Sequence, residues 1–194
     1  MSRPSPAYHA TALLSQPLKW LYRLDARGKE NLPGSGFVLA ANHVSSFDPW
    51  PLALPIYPRW LRFMAKSELF WWPLGAFIRA AGAFKVRRGQ ADREAIQRAV
   101  ELVQEGEIVV MFPEGTRQRK GLRKKHEWRP RTGAARIAWD AHAPIVPAAI
   151  KGTDRLALLG PLRVAYGKPI EPTEDAQATT DRVMDEIYRL YETL

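Results

Sequence analysis

No cysteine occurs among the 194 residues, so disulfides, thiolate metal sites and a cysteine nucleophile are excluded. No apolar run reaches the ~18 residues that a membrane-crossing helix needs, and a conventional spanning segment is not expected. Arg3 is the only early charge and no long apolar block follows it, so the N-terminus does not read as a signal peptide. These absences lead us to expect a cytoplasmic protein. A G-x-S-x-G elbow, which would expose a serine nucleophile, is also missing. His9, His126 and His142 stand at no zinc-ligand spacing, and no metal is expected. Acid is the scarcer charge: 20 Asp and Glu face 29 Lys and Arg, a net +9. That excess favours an anionic partner, whether nucleic acid, a membrane surface or a phosphorylated ligand.

What remains is the composition of a globular protein, 46% hydrophobic and 25% charged, long enough for one domain with a full core. Residues 1–24 read as a leader with one amphipathic helix, its apolar face formed by Leu13, Leu14, Leu18, Trp20, Leu21 and Leu24. Residues 25–194 read as the main domain. Phe37–Ala41, Trp60–Ala65, Ala83–Val86, Ile108–Phe112, Ile145–Ile150 and Leu162–Tyr166 are candidate strands. Ile108–Phe112 shows no alternation, as a strand buried on both faces would not. Asp92 is a candidate N-cap for a helix with Ile96, Val100 and Val103 on one face, ended by Gly106. Further helices are expected over Gly133–Ala141 and about Asp181–Tyr191. Trp60–Ile78 could line an acyl channel but reads mainly as aromatic core; adjacent Trp71 and Trp72 cannot share a helix face, which puts at least one at a boundary or on a groove wall. Strands alternating with helices predict an α/β fold with a single domain and a largely parallel (mixed) sheet flanked by helices.

Two segments carry chemistry. Asn42-His43-Val44-Ser45-Ser46-Phe47-Asp48-Pro49 follows the first strand, and Phe112-Pro113-Glu114-Gly115-Thr116-Arg117 follows the strand from Ile108. A histidine titrates near ~6.5 and can take a proton from an alcohol at neutral pH. An aspartate beside it would hold one tautomer and stabilise the imidazolium. With no serine nucleophile evident in the sequence, His43 is expected to activate a hydroxyl of the substrate itself. Arg117, Arg88 and Arg87 offer planar donors suited to phosphate. Glu114 reads either as part of that clamp or as a partner neutralising Arg117, and Gly115 as a turn former or a point of backbone access.

These segments resemble the glycerolipid acyltransferase family typified by 1-acylglycerol-3-phosphate acyltransferases. The family's N-H-x4-D block is matched by Asn42, His43 and Asp48, and its G-x-F-x-x-R block by Gly82, Phe84 and Arg88. F-P-E-G-T-R is present unaltered as Phe112 to Arg117, and an apolar strand with a central proline is matched by Ile145 to Ile150. The resemblance spans about residues 25–170. It implies that His43 and Asp48 are the catalytic dyad, with Asn42 in support. It further implies that Arg88, Glu114, Gly115 and Arg117, with Arg87 beside them, bind the acceptor's phosphate. It implies direct acyl transfer from acyl-CoA or acyl-carrier protein to a lysophospholipid, in phospholipid biosynthesis, with no cofactor. Glycerol-3-phosphate and other lysolipids or amino-lipids are the alternative acceptors.

Between Gln118 and Arg131, seven of fourteen residues are Lys or Arg. Basic residues beside a bilayer add about 1 kcal/mol each, so this segment, with Trp128, suits an anionic membrane surface. The expected location is peripheral, on the inner face of the cell membrane. A basic nucleic-acid-binding protein would share the charge, but would have no reason to place His, Asp, Glu and Arg at two strand ends, and no nucleic acid is expected. A catalytically silent membrane-surface protein is disfavoured by the intact dyad.

Overall fold

The computed structural model describes residues 6–86, 93–115 and 129–194. Within them seven strands form one sheet: β1 (Asp25–Arg27), β2 (Phe37–Ala41), β3 (Leu61–Lys66), β4 (Ala83–Val86), β5 (Ile108–Met111), β6 (Ile145–Lys151) and β7 (Arg163–Tyr166). Their spatial order is β1-β7-β6-β2-β5-β3-β4. All neighbours run parallel except β6 and β7, so the expected mixed, largely parallel sheet is what forms.

The helices are α1 (Pro6–Leu14), α2 (Gln16–Leu21), α3 (Pro49–Ala53), α4 (Leu74–Ala80), α5 (Arg93–Gln104), α6 (Gly133–Ala141) and α7 (Ala176–Thr193). Helices α5, α6 and α7 cover one face of the sheet, packing Val100, Val103, Ile137, Val183 and Ile187 against Val38, Val109 and Ile145. The alternate residues Phe37, Leu39, Val110, Val146 and Ile150 point to the opposite face, where Leu52 of α3, Ile56 and Tyr166 close the core. All five residues of β2 are buried, because a central strand covered on both faces has no solvent side.

Three expectations change. The leader is not one helix: α1 ends at Leu14 and α2 begins at Gln16, with Pro17 in its first turn, where a missing N–H costs nothing. The last helix starts at Ala176, because the Asp175 carboxylate accepts from the N–H groups of Gln177 and Ala178 and caps it there. Aromatic core is not the main fate of Trp60–Ile78: Leu61 and Ala65 are buried, whereas Leu69, Trp71, Trp72 and Phe77 are exposed. The candidate cap Asp92 lies outside the described residues, as does the stretch from Gln118 to Trp128.

Candidate active site

Strands β5, β2 and β6 are adjacent and parallel, so their C-terminal ends fall on one edge of the sheet. Strand β2 delivers Asn42 and His43 there, β5 delivers Phe112 to Gly115, and β6 delivers the turn containing Thr153. Clefts at the C-terminal ends of parallel strands are where open α/β sheets place their chemistry.

Asn42 continues the sheet where β2 itself stops. Its Nδ2 donates to the Ile150 carbonyl at 3.0 Å, and its Oδ1 accepts the Ile150 N–H at 2.7 Å. The carboxamide thus serves as the next peptide group of β2, which frees the backbone of His43 to turn out of the ladder. The His43 N–H instead donates to Glu114 Oε2 at 3.1 Å, joining the loop after β2 to the turn after β5.

Asp48 lies at the far end of the loop and is fully buried. Its Oδ2 faces His43 Nδ1 at 2.7 Å and also accepts the N–H groups of Val44 at 2.8 Å and Ser45 at 2.9 Å. Its Oδ1 accepts the Thr153 hydroxyl at 2.6 Å. An ionised carboxylate only accepts, so the proton between the two side chains belongs to His43 Nδ1. In the neutral imidazole Nε2 then carries a free lone pair. The His43 side chain is 11% exposed, and its ring lies against Phe112 with centroids 4.1 Å apart and planes 18° from parallel. The aspartate prefers the loop to the helix behind it: it precedes α3 yet makes no side-chain cap there. Helix α3 is held from the other side, where the Tyr166 hydroxyl donates to the Leu52 carbonyl at 2.7 Å.

Glu114 is buried beside this loop. Burial pushes its carboxyl up from 4.5 to about 7; the His43 N–H partly offsets this, and the nearby Asp48 charge adds to it. Gly115 adopts φ +67°, a left-handed backbone that favours glycine, and the Arg131 side chain lies beside it, where a Cβ would be 2.5 Å from Nε. Arg131 is anchored by its own N–H donating to the Pro113 carbonyl at 2.8 Å.

Of the residues singled out in the sequence, Asn42, His43, Asp48, Glu114 and Gly115 are brought together. Arg87, Arg88 and Arg117 lie outside the described residues. Sequence reasoning missed three neighbours. Thr153 is 105 positions from Asp48 and belongs to no spacing pattern. Phe112 opens the F-P-E-G-T-R block and ends a predicted strand, but its stacking on the His43 ring is not readable from that position. Arg131 was counted only as part of a basic run.

A parallel sheet that brings a buried histidine–aspartate pair and a glutamate turn to one edge defines an α/β enzyme. The Acyltransferase family model matches residues 23–151; the chain belongs to that family and is an acyltransferase. It is 37% identical over 155 residues to a 1-acyl-sn-glycerol-3-phosphate acyltransferase of Bacillus subtilis, covering 76% of this chain and 74% of that one. It is 36% identical over 105 residues to a lyso-ornithine lipid O-acyltransferase of Pseudomonas aeruginosa, covering 50% of this chain and 40% of the other. The fold matches the crystal structure of the 1-acyl-sn-glycerophosphate acyltransferase PlsC of Thermotoga maritima with a TM-score of 0.68 at 22% identity, over 96% of this chain and 89% of that one. The resemblance drawn from the four blocks is thus borne out at the level of family and fold.

Proposed function

We propose that this acyltransferase moves a fatty acyl group from a thioester, acyl-CoA or acyl-carrier protein, to the sn-2 hydroxyl of 1-acylglycerol-3-phosphate. The observation that carries the proposal is the 2.7 Å contact from His43 Nδ1 to Asp48, which orients the imidazole and leaves Nε2 to act as the base. Nε2 takes the hydroxyl proton, and the oxygen attacks the thioester carbonyl. The C–S bond then breaks, and the imidazolium returns its proton to the leaving sulfur. Asp48 stabilises the imidazolium throughout. No acyl-enzyme forms.

Arg88 and Arg117, with Arg87 in reserve, are assigned to the acceptor's phosphate, and Gly115 keeps the turn open for backbone contact. Glu114 accepts the His43 N–H, so its part is to hold the dyad loop in register with the phosphate-binding turn. Orientation of this kind can supply up to roughly 7–11 kcal/mol of a bimolecular barrier.

His43→Ala is expected to lower kcat by roughly 10²–10⁴-fold in a folded protein. Near-normal transfer by that variant would refute the mechanism. Acceptor and donor are separated by comparing turnover on lysophosphatidate, glycerol-3-phosphate and a lyso-amino-lipid, each with acyl-CoA and with acyl-carrier protein. The lyso-amino-lipid belongs in that comparison because of the similarity to the lyso-ornithine lipid enzyme.

We assign the protein to the inner face of the cell membrane as a peripheral enzyme. Among the described residues no helix is long and apolar enough to cross a membrane. Leu14 and Trp20 on the N-terminal helices are 80% and 85% exposed, and Trp72, in the connection after β3, is 84% exposed. Large apolar side chains left in water on a basic protein fit an anionic bilayer surface.

A further inference from the structure

We infer that Thr153 is a positioning residue for the His43–Asp48 pair, setting both the rotation of the aspartate and the hold it has on the imidazolium. The inference rests on the dyad mechanism proposed above.

Thr153 stands outside the four sequence blocks, just beyond β6, and is 2% exposed. Its hydroxyl is 2.6 Å from Asp48 Oδ1. Because the carboxylate can only accept, the hydroxyl is the donor. Three N–H groups converge on Oδ2, those of His43, Val44 and Ser45. All three come from the loop that also carries Asp48, so they can follow it if the loop shifts. Thr153 reaches in from the turn after β6 and fixes the remaining oxygen. With Oδ1 held, the carboxylate cannot turn about its Cβ–Cγ bond and Oδ2 stays in line with Nδ1.

The strand end that carries Thr153 is itself fixed. Asn42 binds both the N–H and the carbonyl of Ile150, three residues earlier. Gly152 then makes the turn at φ +100°, where a Cβ would lie 2.4 Å from the Pro161 carbonyl oxygen. Asn42 and Thr153 together tie β6 to both ends of the His43–Asp48 segment.

The hydroxyl also draws charge from the carboxylate. A carboxylate with one donor fewer binds a neighbouring imidazolium more tightly and raises its pKa. Loss of the hydroxyl therefore changes both geometry and proton affinity, whereas a purely structural threonine would change neither in the folded enzyme.

Thr153→Val keeps the shape and removes the donor; Thr153→Ala serves if the valine variant does not fold, and Thr153→Ser restores the hydroxyl. The hydroxyl-free variant is expected to lose about tenfold in kcat, the worth of one good hydrogen bond. KM for both substrates should remain within about twofold, since no substrate contact is removed. The acidic limb of the kcat/KM profile should move to higher pH, and Thr153→Ser should recover both rate and profile. A hydroxyl-free variant with wild-type kcat and pH profile would overturn the inference, whatever its melting temperature, and so would a serine variant as impaired as the valine one. His43→Ala separates the two failures: if it remains active, the dyad mechanism is at fault; if it is inactive while Thr153→Val behaves as wild type, Thr153 is.

Discussion

At Glu114 charge and burial conflict. Its carboxyl is pushed from 4.5 to about 7, so between those values the folded protein binds a proton that the unfolded chain does not. Stability from this site is full below about pH 4.5 and is lost as pH rises through 7. Glu114→Gln keeps an acceptor for the His43 N–H and cannot ionise. Relative to this variant, wild type should lose up to about 3 kcal/mol between acid and neutral pH, read from denaturant midpoints across the range. A constant difference between the two proteins would show that the carboxyl titrates normally. His43 and Asp48 could be named from a spacing of five and a strand before them. Thr153 could not, because a single threonine distant in the chain has no periodicity or motif to betray it. Glu114 was visible as a site residue, but its attachment to the His43 backbone depends on which strands are neighbours.

At the scale of elements, the seam between β2 and β6 does most to shape the active edge. Asn42→Leu would leave the Ile150 N–H and carbonyl buried without their partner. At about 1–3 kcal/mol for each of the two unsatisfied groups, the variant should lose roughly 2–6 kcal/mol, measured by urea unfolding. An unchanged midpoint would mean that water or another group can replace the carboxamide. The central strands were legible because a parallel strand covered on both faces reads as an unbroken apolar run, as Phe37–Ala41 and Ile108–Met111 do. Helix α5 was legible through its apolar face. The start of α7 was not, since the residues buried in its first turns include Thr179 and Thr180, which carry no hydrophobic signal. Strand β1, three residues long, is too short for any pattern and exists only by pairing with β7.

Across the whole molecule, the family and the mixed sheet follow from segments that are contiguous in sequence, whereas the surface does not. The sequence puts Leu14 and Trp20 on one amphipathic face and at least one of Trp71 and Trp72 at a boundary, but only the packing shows that all four are exposed. Trp20→Ser should weaken flotation with anionic vesicles while leaving the melting temperature within about 1 °C, because an exposed side chain contributes little to the fold. Binding should also fall with added salt if basic residues act alongside it. Equal flotation of wild type and variant would place the contact elsewhere.

The four donors gathered on Asp48 all belong to the protein. Nothing in that cluster waits for a ligand, so the base is armed before an acceptor arrives. On the proposed mechanism, a water molecule in place of the acceptor hydroxyl would meet the same Nε2 lone pair. If that mechanism holds, donor alone should be hydrolysed slowly by the wild type and not by His43→Ala, read as release of the free thiol without acceptor.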